Sequence, residues 1–395
     1  MTILIKFVGY IRHILIIMDK VIYKRTLMDK IKPWFYQAKI IIIYGPRQVG
    51  KTTLVNELIK TRQDAVYMNC ERQAVYELLD SRNPERIMQH IGENNMVVFD
   101  EAQKIPKIGE LLKLLIDTYP EIQYIATGSS SFDLTNVLSE PLTGRNVKFI
   151  MYPLSLVELS AHYDKIRQDE MLEDLLLYGS YPDIVGRTQK QKEKLLEELS
   201  SDYLFKDVLK FENIRRSDIL LNLLKAIALQ AGHEVSLREL SNMLNVAVDT
   251  IQRYITLLEK SFVLLSLSSF SRNLRSEISK GKKYFFYDLG IRNSLLQNFT
   301  PLSGRNDLGQ LWENFCLIER IKYNQFIERR VNMYFWRTYQ QQEIDLIEEH
   351  SGKLHAFEFK WNPKKSTKAP QSFIKAYPES EYTIINRKNY QDFIS

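Results

Sequence analysis

Gly45-Pro46-Arg47-Gln48-Val49-Gly50-Lys51-Thr52 reads as G-x-x-x-x-G-K-[ST], the pattern of a phosphate-binding loop. Before it runs Lys39-Ile40-Ile41-Ile42-Ile43-Tyr44, an apolar, β-branched run of the length of a strand buried on both faces. After it, Thr53 to Lys60 reads as a helix, with Leu54 and Leu58 on one face. Strand, glycine loop and helix in that order predict an α/β domain built on a parallel sheet. Gly45 and Gly50 let the backbone turn tightly and approach an anion closely. Across Pro46-Arg47-Gln48-Val49 and into the helix, the N–H groups from Arg47 through Thr53 then face phosphate oxygens at a helix start. Lys51 is expected to reach the β- and γ-phosphates, and the Thr52 hydroxyl to ligate Mg²⁺.

Further strands follow at the spacing such a domain needs. Ala65 to Asn69 reads as a strand, and Arg72 to Ile91 as helix interrupted at Asn83-Pro84. Met96-Val97-Val98-Phe99-Asp100-Glu101 is an apolar run ending in two acids, a Walker B pattern. Asp100 is expected to hold Mg²⁺. Glu101 beside it is the candidate general base for the attacking water. Gln123 to Thr127 reads as the next strand and runs into Gly128-Ser129-Ser130-Ser131. Ligands gather at the carboxyl ends of strands in such sheets, so the Ser129 hydroxyl can sense a γ-phosphate, or simply close a turn. Arg145 precedes a strand from Val147 to Met151. Its guanidinium could stabilise γ-phosphate charge in cis or from a neighbouring copy, or be a surface residue.

Length and composition suit a multi-domain globular chain. The 395 residues are 45% hydrophobic and 26% charged. Net charge is +6 and the isoelectric point about 8.9, which permits contact with an acidic polymer. Only Cys70 and Cys316 are present, arguing against a disulfide framework or a cysteine zinc site and for a reducing cytoplasm. Met1 to Met18 is apolar but interrupted by Lys6, Arg12 and His13, too short for a confident spanning helix and without a cleavage site. Residues 1–17 read as a leader ahead of a start at Met18, or as a surface-lying amphipathic helix. No membrane association is expected. Met18 to Ala38 reads as mostly helical, broken by Pro33.

The middle of the chain is helical. Gln189 to Leu199 is a charged, solvated helix. Ser236 to Glu239 forms a capping-box pattern, followed by a turn and a helix from Asp249 to Lys260. Strands at Phe262 to Ser268 and Lys283 to Tyr287 complete a winged helix-turn-helix pattern. That places Gln252 and Arg253 against DNA, or makes the unit a packing module. Near the carboxyl terminus Leu311-Trp312-Glu313-Asn314 begins a helix. Glu343 to Ile347 and Ala356 to Trp361 alternate as strands, with Glu343 and Asp345 on one face and Glu358 and Lys360 on one face. Asp345 followed by Glu358-Phe359-Lys360 resembles the restriction-endonuclease-like fold, which implies Asp345 and Glu358 as Mg²⁺ ligands and Lys360 orienting a water. A working nuclease, an inactive remnant and a plain hairpin all fit this pattern.

Several stretches together look like the bacterial and archaeal AAA-type ATPases that carry a C-terminal domain of unknown function. They are the loop Gly45–Thr52, Phe99-Asp100-Glu101-Ala102-Gln103-Lys104, Thr127 to Ser131, Leu142-Thr143-Gly144-Arg145, and Tyr152-Pro153-Leu154-Ser155. Tyr178-Gly179-Ser180-Tyr181-Pro182 is similar to that family's Gly-Gly-Tyr-Pro element, with Ser180 in place of the second glycine. Tyr284 to Gly290 and Leu311 to Asn314 also look like the family. The expected architecture is an α/β P-loop ATPase domain over 18–185, a helical winged-helix region over 186–300 and a restriction-endonuclease-like α/β domain over 301–395. The resemblance implies an ATP-binding, Mg²⁺-dependent hydrolase coupled to a DNA or protein partner, with a homo-oligomer open. The alternatives are an ATP-gated nuclease and a nucleotide-switched adaptor without turnover.

Overall fold

The computed structural model describes residues 21–128, 142–163, 165–211, 216–272, 281–338, 340–365 and 367–394. The leader 1–17 and Ser129 to Ser131 fall outside them. The first sheet has β1 (Ile40–Tyr44), β2 (Ala65–Asn69), β3 (Met96–Asp100), β4 (Gln123–Gly128) and β5 (Asn146–Ile150) in the order β2-β3-β4-β1-β5, every pair parallel. The isoleucine run suits a strand covered on both faces. Ile41 and Ile43 enter one core, and Ile40 and Ile42 another. Strand β4 stands between β1 and β3, so the phosphate loop and Asp100 are one strand apart at the same sheet end.

The second sheet crosses the 300/301 boundary expected from sequence. It joins β6 (Glu234–Val235), β7 (Leu264–Ser269), β8 (Lys282–Phe286), β9 (Asn332–Arg337), β10 (Glu343–His350), β11 (Lys353–Phe359) and β12 (Glu381–Ile385) in the order β12-β11-β10-β9-β7-β8-β6. The link is the parallel pair β7–β9, with Ser268 opposite Tyr334. Helices Ser217–Leu229, Leu237–Leu244 and Val248–Lys260 precede and interleave with the antiparallel set β6-β8-β7. Ser236 caps the middle one by accepting from the Glu239 N–H. The segment before β1 is less helical than its sequence reads. Among the described residues there, 21–38, only Leu27–Ile31 is α-helix, and Pro33 sits in the 3-10 turn Lys32–Trp34 that ends it.

The long helix Leu308–Phe326 ties the two sheets together. Its Gln325 side chain donates to the Ile150 carbonyl at 2.6 Å, and Lys322 donates to Leu154 O at 2.9 Å. Glu319 accepts from the Leu156 N–H at 2.7 Å. No helix among the described residues is long and apolar enough to cross a membrane.

Candidate nucleotide site

The loop Gly45–Gly50 runs from the end of β1 into the helix Lys51–Ile59. Gly45 has no room for a side chain, because a Cβ there would overlap the Met151 carbonyl. Gly50 sits at φ +96° as the helix N-cap. Lys51 is buried, and its ammonium donates to Gly45 O at 3.0 Å and Pro46 O at 2.7 Å. The loop therefore closes around its own lysine, with Thr52 and Thr53 exposed at the helix start.

Asp100 ends β3 and gathers three hydroxyls. Thr52 donates to its Oδ2 at 2.9 Å, Tyr67 to the same oxygen at 2.5 Å, and Thr127 to Oδ1. The register places these donors: Asn69 pairs with Asp100, and Phe99 with Ala126, which sets Thr127 beside the acid. Burial, then the adjoining Asp100, pushes the Tyr67 hydroxyl well up, so it stays a donor. Thr52 and Asp100 together offer the hard oxygen donors that Mg²⁺ takes when phosphates and waters complete its shell.

Glu101 is turned out of the strand at φ +55°. Burial raises its pKa, with the Lys51 ammonium opposing, and Gln103 holds Oε2 at 2.5 Å. Its N–H donates to Thr127 Oγ1 at 3.2 Å, which links it to Asp100. Gly128 is level with Tyr44, just before the loop, and Ser129 follows outside the described residues. Arg145 is not brought to the loop. It precedes β5 at the amino end of the sheet, gives its carbonyl to Ile40 N–H, and pairs with Asp117 at 2.5 Å. The length of β1 separates it from the P-loop in the same chain.

Two contributors were not singled out in the sequence. Tyr67 is one. Arg25 is the other: its buried guanidinium donates to Val49 O at 2.7 Å, Tyr152 O at 2.5 Å and Glu158 Oε1 at 3.0 Å. Burial alone would raise the Glu158 carboxyl, but Arg25 and the Ser155 and Thr26 N–H donors outweigh it and hold it low. Alongside lies an apolar cleft of about 80 Å³, lined among others by Val21, Ile22, Met28, Gly50, Met151 and Pro182.

Residues 37–160 match the family model described as an AAA domain. The AAA domain is followed by matches to two domains of unknown function, at residues 169–302 and 308–393. The chain is 26% identical over 343 residues to an uncharacterized protein of Mycobacterium tuberculosis, covering 86% of this chain and 74% of the relative. It is 25% identical over 375 residues to one of Methanocaldococcus jannaschii, covering 89% and 81%. A Walker-type ATPase of Pyrococcus abyssi superposes with a TM-score of 0.51 at 18% identity, over 70% of this chain and 96% of that one. Residues 37–160, which match the AAA-domain model, thus have the fold of a P-loop ATPase.

The carboxyl-terminal carboxylates form a separate group. Glu358 Oε1 meets Lys360 Nζ at 2.5 Å, and Asp345 accepts from the Phe359 N–H at 2.8 Å. Lys283, buried, pairs with Glu313 at 3.0 Å and with Glu343. Burial, then neighbouring Asp345, pushes Glu313 up to about 8 and Glu358 up to about 7. Among the described residues no group of three or more His, Cys, Asp or Glu side chains is arranged to hold a metal ion. The Lys283 ammonium meets two of the acids, Glu313 and Glu343, and Lys360 meets Glu358.

Proposed function

We propose that the protein is a cytoplasmic Mg²⁺-dependent ATPase that couples its nucleotide state to a macromolecular partner. The observation that carries this is the convergence of the Thr52, Tyr67 and Thr127 hydroxyls on Asp100 at the mouth of the phosphate loop, with the Glu101 N–H bonded to Thr127 beside it. When bound, Mg²⁺ would be held by Thr52 and Asp100 and would neutralise charge on the phosphates. Lys51 would exchange its loop carbonyls for phosphate oxygens. Glu101, its pKa raised by burial, would take the proton of the attacking water. The apolar cleft beside Gly50 and Met151 suits the purine base. Arg145 would act only from a neighbouring copy, in a homo-oligomer.

The three helices and the strands β6-β8-β7 support a winged-helix reading of the middle region. The nuclease alternative rests on Asp345, Glu358 and Lys360 lying together, and a cleavage assay with Mg²⁺ or Mn²⁺ tests it. ATP turnover tests the main reading. Lys51→Ala is expected to weaken ATP binding by tenfold or more, and Glu101→Gln to keep binding while slowing phosphate release about 100-fold. ATP affinity unchanged in Lys51→Ala removes the P-loop assignment, and equal turnover in Glu101→Gln removes the base.

A further inference from the structure

At the carboxyl ends of the parallel pair β11 and β12 two loops meet. The Lys360 N–H donates to Ile385 O at 2.9 Å, continuing the pairing past both strands. The Arg387 guanidinium lies 4.6 Å from the Trp361 ring centroid, and Trp361 stands edge-on to buried Trp312 at 5.4 Å. The loop turns are fixed by Asn362, whose side chain accepts from the Lys364 N–H, and by Asn386, which does the same for Lys388. The two loops are therefore locked to each other and to the core.

They carry one sign of charge. Lys364, Lys365, Arg387 and Lys388 are exposed, and none forms an ion pair among the described residues. Of the two acids on this strand pair, Glu381 lies at the opposite end, paired with His355, and Glu358, beside the rim, is paired with Lys360. Behind the rim, Glu313 and Glu343 are met by Lys283, and Asp345 accepts from the Phe359 N–H. The result is an uncompensated basic rim around a half-buried indole.

We propose that this rim binds the sugar–phosphate backbone of a nucleic acid, with a base stacking at the Trp361–Arg387 pair. Unpaired cations suit repeated phosphates, and the indole with its stacked guanidinium suits the π-face that every base presents. An acidic protein segment would match the charge but leave that platform unused. The inference rests on the proposed coupling to a macromolecular partner and names its class. It does not depend on hydrolysis.

The test is fluorescence anisotropy of labelled single-stranded DNA, duplex DNA and single-stranded RNA with the full chain over a salt series. Four phosphate contacts predict a slope of log affinity against log salt of about −3. The triple variant Lys364→Glu, Lys365→Glu, Arg387→Glu should bind at least about 100-fold more weakly, with ATP turnover in the absence of nucleic acid unchanged. Absence of wild-type binding to all three polymers at low salt overturns the proposal. So does unchanged affinity in the variant, or a loss seen with Arg253→Glu instead. Equal or tighter binding to polyglutamate or to anionic lipid vesicles also overturns it, in favour of an acidic protein or membrane surface. A chain that binds nucleic acid but does not turn over ATP leaves this inference standing and removes only the ATPase.

Discussion

At the scale of single residues, the phosphate loop is shaped by a side chain that precedes it by 24 positions. Arg25 Nη1 holds the Val49 carbonyl at 2.7 Å. In a trans peptide the carbonyl of one residue and the N–H of the next point opposite ways. Pinning Val49 O toward Arg25 therefore aims the Gly50 N–H away from Arg25 and into the cradle. Arg25→Lys keeps the charge that Glu158 needs but cannot fork to three acceptors. We expect that variant to stay folded and to lose about tenfold in affinity for ATP and ADP, with adenosine unaffected. Calorimetric titration of the three ligands decides it: a parallel loss for adenosine, or no loss at all, would show that Arg25 does not orient the loop. Arg25 was not legible as a site residue, because its partners at Val49, Tyr152 and Glu158 are brought to it only by folding.

At the scale of elements, what could be read and what could not divide along the same line. The loop, the Asp100–Glu101 strand end and the alternating strands declare themselves through local pattern, and β2 spans the residues its sequence predicts. Contacts between distant elements do not. Gly179, at φ +71°, abuts the Asp288 carboxylate, which accepts the Ser180 N–H and caps the helix Leu289–Leu295. Lys283 on β8 neutralises Glu313 on a helix and Glu343 on β10. Lys283→Met should cost about 3–5 kcal/mol by taking the cation from the largely buried Glu313 and the half-exposed Glu343. The cost should depend on pH in a stated direction. Glu313 is raised in the fold to about 8 even with Lys283 present. In the variant it must fold protonated, so stability is fullest below the ordinary glutamate range and falls as pH rises toward and beyond that value. Chemical denaturation of both proteins from pH 5 to pH 10 checks this, the gap opening above about pH 8, where Glu313 ionises only beside Lys283; a gap that stays level or shrinks there would refute it. Adding Glu313→Gln should recover part of the loss.

At the scale of the whole molecule, one helix touches both functional regions. Leu308–Phe326 has 19 residues and is about 28 Å long. Glu313, near its start, sits among the carboxylates beside the basic rim, and Lys322 and Gln325, near its end, grip the carbonyls of Leu154 and Ile150. The segment between those carbonyls also abuts the loop, through Met151 against Gly45 and Tyr152 O against Arg25. A nucleotide that reshapes the loop therefore pushes on a strip of backbone that the helix holds from its other side. Spatial continuity alone does not establish coupling; a difference in the helix's environment between nucleotide states would. In the Glu101→Gln background, ATP should change amide hydrogen-exchange protection in 308–326 and in β10 and β11. Lys322→Met with Gln325→Ala should abolish that change while ATP affinity stays within about twofold, because neither residue touches the loop. Unaltered exchange in those segments on adding ATP to the unmodified helix would mean that the two regions work independently. Loss of ATP affinity in the double variant would mean that the helix supports the loop and transmits nothing.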